Sequence, residues 1–194
     1  MRHLSSQDPI PAPDLTIQIN KLTKLYDIHK LLSQKNIVDG YVYGIYDLQG
    51  RCVKYGQSEC IDKPGKHADR IYRQVLNAPV SYQNGKPQYR KNLTDTDRGY
   101  DMVKYVKKFN EVYNTELTVA DLTVDVWNMT PYYEPESFTS SSPMRRETLK
   151  VNKRNLVENH FIDKHNAEKG FCPPGNLKEQ KFNLNFHNMF EVKI

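Results

Sequence analysis

A chain of 194 residues is long enough for one domain with its own core, but 38% hydrophobic content and a mean hydropathy of −0.77 leave little apolar surface to spare. Lys and Arg outnumber Asp and Glu by 28 to 23, a formal net charge of +5 that is compatible with a polyanionic partner but does not require one. No apolar run suits a signal peptide or a bilayer span, and Cys52, Cys60 and Cys172 are odd in number and lack zinc-ligand spacing. The expectation is therefore a soluble, cytoplasmic protein without membrane contact, disulfide framework or structural zinc.

Residues 1–13 are polar and broken by proline, which reads as a flexible arm, and residues 14–194 read as a single domain. From Asp14, a candidate N-cap, Ile17, Leu22, Leu25, Ile28, Leu31 and Leu32 recur at helical spacing, predicting an N-terminal helix to about Ser33. Residues 40–58 predict two strands, Tyr41–Asp47 and Arg51–Ser58, around a two-residue turn at Gln49-Gly50. A loop containing Pro64-Gly65 follows, then a short helix over His67–Asn77. Residues 79–95 form a polar excursion, a loop or a small hairpin with Asn84-Gly85 at its tip. Thr96–Asn114 predicts a helix with Met102, Val103, Val106, Phe109 and Val112 inward, and Leu122–Met129 alternates as a third strand. After a loop rich in Ser and Pro, Met144–Asn166 predicts a long helix with Lys150, Lys153 and Arg154 exposed. The C-terminal tail begins irregularly, and Phe182–Ile194 suits an edge strand. The order of helices and strands gives an α+β class.

The hairpin carries the chemistry. Pairing outward from Gln49-Gly50 sets Asp47 opposite Cys52, Ile45 opposite Lys54 and Tyr43 opposite Gly56. Tyr43, Ile45, Lys54, Gly56 and Ser58 then share one face, and Tyr46, Val53 and Tyr55 take the other. A phenol and an ammonium become diagonal neighbours, beside a glycine that leaves room for something to approach.

Tyr41-Val42-Tyr43 and Lys54-Tyr55-Gly56-Gln57-Ser58 together resemble the paired motifs of GIY-YIG nucleases. The family's spacing between its two motif residues runs from Tyr43 to Lys54. The literal Gly44-Ile45-Tyr46 stands too close to Lys54 and on the other face, so Tyr46 is at most a supporting residue unless the register differs. Lysine in the second motif departs from most members but is similar to some restriction endonucleases of the family. The resemblance implies a small three-stranded antiparallel sheet flanked by helices, here with an N-terminal helix and a C-terminal extension.

It also implies a site. In the family an arginine on the helix after the hairpin meets the scissile phosphate, which makes Arg70 the first candidate and Arg73 the second; a guanidinium fork suits phosphate oxygens. Gln74 stands where many members have a proton donor, and His67 is an alternative one turn earlier. Glu158, within Leu156–Ile162, resembles the family's helical glutamate, a ligand for one Mg²⁺ or Mn²⁺ ion. Asn176, after Pro173-Pro174-Gly175, resembles its late asparagine, with turn chemistry as the plain alternative. Tyr43 and Lys54 would activate the water, Arg70 hold the phosphate and Glu158 the metal.

Lys86, Gln88, Arg90 and Lys91 on the excursion, and Arg145, Arg146, Lys150 and Lys153 on the last helix, are candidate contacts to double-stranded DNA. No separate DNA-binding module is evident. The resemblance is strongest to a type II restriction endonuclease, and cutting both strands implies a homodimer. The alternatives are a structure-selective repair or mobile-element nuclease, and a non-catalytic DNA-binding protein on the same fold.

Overall fold

The computed structural model describes residues 8–19, 26–37, 39–58, 80–83, 86–89, 100–133 and 143–176. In chain order its elements are β1 (Leu15–Gln18), α1 (Tyr26–Gln34), β2 (Tyr41–Tyr46), β3 (Cys52–Ser58), β4 (Val80–Gln83), β5 (Lys86–Tyr89), α2 (Tyr100–Tyr113), β6 (Thr123–Asn128) and α3 (Pro143–Lys169). A four-stranded antiparallel sheet runs β1-β6-β2-β3, and β4 and β5 pair separately as an antiparallel hairpin. The expected three-stranded sheet is thus extended by a fourth strand. No helix among the described residues is long and apolar enough to cross a membrane.

The added strand replaces the first part of the predicted N-terminal helix. Leu15-Thr16-Ile17-Gln18 alternates in burial, and β-branched Thr16 and Ile17 suit a pleated surface. Asp14 does not cap a helix. Its N–H donates to Val126 O at 2.9 Å and its carboxylate accepts from the Asn128 N–H at 2.7 Å, which aligns β1 on β6. Helical periodicity resumes in α1, where Ile28 and Leu32 are fully buried. Of the predicted arm, residues 8–13 are described, and Pro11 O accepts the Trp127 indole N–H at 2.8 Å.

Strand β2 lies between β6 and β3, so both its edges are hydrogen-bonded, and its side chains are buried on both faces. On one face Tyr41, Tyr43, Ile45, Val53, Val124 and Val126 join a core with α1 and with Val106 and Phe109 of α2. On the other, Val42, Cys52, Tyr55 and Trp127 pack against Val157 and Phe161 of α3. Phe161 meets Trp127 and Tyr55 edge-on, with ring centroids 4.8 and 5.6 Å away.

The hairpin loop differs from the predicted turn. The Asp47 N–H donates to Arg51 O and the Gly50 N–H to Asp47 O, both at 3.1 Å. The loop is therefore three residues, Leu48-Gln49-Gly50, with Gly50 at φ +77° where a side chain would be strained. The Asp47 carboxylate accepts from the Gln49 and Arg51 N–H groups at 3.0 and 2.7 Å and pairs with the Arg51 guanidinium at 2.7 Å. That guanidinium lies over the rings of Phe109 and Tyr113, fastening the loop to α2. Cys52 consequently pairs with Tyr46, not with Asp47. An irregularity at Val53 restores the register one residue on and sets Val53 in the core with Tyr43, not on the face of Tyr46 and Tyr55 as predicted; Ile45 pairs with Lys54 and Tyr43 with Gly56 as expected.

Along α3 the buried stripe is Arg154, Val157, Phe161 and His165. The prediction of an exposed Arg154 is corrected: it falls on the same face as Val157 and Phe161. Helix α3 ends at Gly170, in the left-handed region at φ +79°, whose N–H donates to Asn166 O at 2.8 Å. His165 Nδ1 lies 2.9 Å from Phe171 O; a carbonyl only accepts, so Nδ1 carries the proton. Burial is the main cause that holds the His165 pKa below its ordinary 6.5.

A pH dependence follows from that depression. The unfolded chain takes up a proton at His165 before the folded one does, so the stabilisation is complete above the ordinary value. It is lost as the pH falls below that value toward the folded pKa. Thermal melts of wild type and His165→Asn, which keeps a donor for Phe171 O, should show a steeper stability loss in wild type between about pH 7 and pH 5. Equal losses would remove His165 from the acid response.

Candidate active site

Tyr43 and Lys54 do share one face of the hairpin, as diagonal neighbours across the Tyr43–Gly56 and Ile45–Lys54 pairs. The glycine between them is not open space. A Cβ at Gly56 would fall 2.4 Å from both Cζ and the hydroxyl oxygen of Tyr43, so the phenol ring lies across the glycine. The room that Gly56 suggests for an approaching ligand is filled by the Tyr43 ring. Tyr43 is fully buried and Lys54 half-buried, so of the two it is Lys54 that meets solvent.

The Lys54 ammonium stands 4.2 Å from the centroid of the Tyr105 ring on α2, a cation–π contact. Sequence reading overlooked Tyr105. The available signal was its place four residues before Phe109, on the same side of a helix whose apolar spacing was already clear.

The turn Pro174–Asn176 closes the edge of β3 from outside. Asn176 Oδ1 accepts the Tyr55 N–H at 2.7 Å, and its Nδ2 donates to Tyr55 O at 2.9 Å. The side-chain amide thereby pairs with β3 as a neighbouring strand would, capping the outermost strand among the described residues. Gly175 beside it is obligatory for space: a Cβ there would lie 2.7 Å from Lys54 Cβ and 3.1 Å from Tyr105 Cγ. Asn176 thus holds β3 in place and packs its turn on the Lys54 stem.

Tyr46 occupies the opposite face, as the alternation requires. Its hydroxyl donates to the Tyr55 hydroxyl at 3.0 Å, and the two rings meet edge to face. Burial raises the pKa of both phenols and of the Cys52 thiol, so all three stay protonated near neutral pH.

Glu158 is half-buried on the flank of α3, next to the buried Val157. It lies on the side of the helix shared with Asn155, whose Oδ1 accepts from Gln57 Nε2 of β3 at 3.1 Å. Position 158 is therefore on the β3 side of α3. Helix α3 covers one face of the sheet, whereas Lys54 looks toward α2 on the other, so the two groups flank β3 from opposite faces. The structure therefore does not bring Lys54 and Glu158 to one face of the sheet.

Arg70, Arg73, His67, Arg90 and Lys91 lie outside the described residues. Lys86 and Gln88 belong to the β4–β5 hairpin, and Arg145 and Arg146 to the first turn of α3. Lys150 is held internally by Asp39 at 2.8 Å and by the Tyr133 ring, while Lys153 is half-buried. Among the described residues no group of three or more His, Cys, Asp or Glu side chains gathers to hold a metal. A site at Glu158 would rest on one carboxylate with water and phosphate oxygens, a donor set that fits Mg²⁺.

No family model matches the chain, and neither the curated proteins nor the solved structures contain a match to it.

Replacing Asn176 by Ala removes both bonds to Tyr55 at once. It should lower stability by about 1–3 kcal/mol, the cost of leaving a strand-edge donor without its partner. Denaturant unfolding measures this; an unchanged midpoint would mean that water replaces the amide at no cost.

Proposed function

We propose that this protein is a GIY-YIG-type endonuclease that hydrolyses double-stranded DNA, most like a type II restriction enzyme acting as a homodimer inside the cell. The observation that carries the reading is the junction of two motif segments far apart in sequence. Lys54-Tyr55-Gly56 and Pro174-Gly175-Asn176 meet through the two bonds between Asn176 and Tyr55, 121 positions apart, and through the packing of Gly175 on Lys54. The helix bearing Glu158 rests on the same strand through Gln57. This convergence on one strand edge supports the reading of both segments as motifs, which stay hypotheses until activity is measured.

Phosphodiester hydrolysis needs an in-line water, charge stabilisation on the phosphoryl oxygens and help for the leaving group. Lys54 is the group that would meet the water and an adjacent phosphoryl oxygen, with its ammonium steadied by Tyr105. Tyr43, packed over Gly56 on the same face, would orient Lys54 and, as the phenolate that the neighbouring ammonium favours, accept the proton of the water. Arg70, outside the described residues, would hold the phosphate as the resemblance implies. Glu158 would hold one divalent cation, which when bound supplies positive charge at the leaving oxygen. The β4–β5 hairpin, carrying Lys86 and Gln88, is a two-stranded ribbon, a shape the major groove accepts.

Digestion of unmethylated phage DNA with Mg²⁺ tests the class. Discrete bands are expected. A smear would indicate a loosely specific nuclease, and intact DNA beside measurable binding would indicate a non-catalytic protein. Glu158→Gln should retain DNA affinity in Ca²⁺ but lose Mg²⁺-dependent cutting, because shape is kept while the anionic ligand is lost. Normal turnover by that variant would exclude Glu158 from the chemistry.

A further inference from the structure

Arg154 is the largest fully buried side chain among the described residues, at 1% exposure, although its neighbours Leu156 and Asn155 are exposed. Its Nε donates to Gln57 Oε1 at 2.9 Å and one terminal nitrogen donates to the Tyr133 hydroxyl at 3.3 Å. That hydroxyl donates in turn to Asp39 O at 2.9 Å. The guanidinium fills the space above Gly40, where a Cβ would lie 2.8 Å from it and where φ is +101°. Gln57 returns to the helix through its Nε2, which donates to Asn155 Oδ1 at 3.1 Å. One amide of β3 is thus gripped by two successive residues of α3, from the buried side and from the exposed side.

An apolar residue at position 154 would pack α3 against the sheet at least as favourably, since burying a guanidinium is costly. What an apolar residue would not supply is direction. Two adjacent helix residues bonded to one side chain fix both the height and the rotation of the helix on β3, since a one-residue slip turns it by about 100°. Glu158 stands one turn beyond Arg154 on that helix, so the grip that sets Arg154 also sets the carboxylate.

We propose that Arg154 is a positioning residue which, through Gln57 and Gly40, fixes the rotation of α3 and so seats Glu158 at the edge of β3. The proposal rests on the nuclease reading of Glu158. The group acts through the helix and touches neither DNA nor metal.

The experiment measures the Mg²⁺ concentration for half-maximal cleavage, with duplex affinity measured separately in Ca²⁺. Gln57→Leu breaks the grip while leaving Arg154 in place, and Arg154→Met fills the volume without the bonds. Each should raise the Mg²⁺ requirement by roughly 10–100-fold, the usual effect of losing a partner that orients a metal ligand, with duplex affinity unchanged. A lowered melting temperature with an unchanged Mg²⁺ requirement in Gln57→Leu would overturn the proposal, because a merely structural residue behaves that way. Absence of Mg²⁺-dependent cutting by wild type would sink the nuclease reading alone. Crystal structures of wild type and Gln57→Leu then decide the positioning claim: a Glu158 carboxylate shifted relative to Gly56 supports it, and a coincident one overturns it.

Discussion

Everything proposed for the site depends on the register of β2 against β3. Strand side chains alternate, so a slip of one residue would send Lys54 to the face of Tyr46 and leave Tyr43 without its glycine. Two local features set this register together. Asp47 gathers the N–H groups of Gln49 and Arg51 into a three-residue loop, which by itself offsets the pairing by one. The irregularity at Val53 takes the offset back before Lys54 is reached. The Tyr43 ring across Gly56 then locks the result, since no other residue in β3 would accept it.

The same arrangement explains how the chain assigns its two tyrosine-bearing faces. On the α3 side, Tyr46 and Tyr55 bond to each other in a dry setting that keeps them protonated. On the α2 side, Lys54 reaches the rim, steadied by an aromatic ring and wedged by the Pro174–Asn176 turn. Edge strand β3 is the meeting place of α2, α3 and that turn, and its outer backbone at Tyr55 is satisfied by one asparagine side chain.

Much of this was legible in the sequence, and what was missed has physical causes. Alternation and the Gly50 signal gave the hairpin, and apolar spacing gave α2 and β6 with useful boundaries. The pairing of Tyr43 with Gly56 came out correctly although the loop was read one residue too short, because the bulge cancels the error. Strand β1 was hidden because Ile17 fits a helical series with Ile28 and Leu32 as well as it fits an alternation of four residues. Arg154 was placed in solvent because its charge suggested that, and no local pattern reveals the Gln57 amide that receives it from 97 positions away. Asn176 raised the opposite difficulty: its residue type was noticed, but a lone asparagine does not announce which strand edge it will cap.

The most direct test of the account compares two conservative variants of the hairpin. Tyr43→Phe and Tyr46→Phe each remove one hydroxyl and keep a ring, so both should fold. Their rates of Mg²⁺-dependent DNA cleavage, with binding checked separately in Ca²⁺, read which face does the chemistry. The account predicts a loss on the order of 10²-fold or more for Tyr43→Phe, the scale of a removed general base, and near-normal cleavage by Tyr46→Phe. An inactive Tyr46→Phe beside an active Tyr43→Phe would contradict it and move the working face to the α3 side of the sheet.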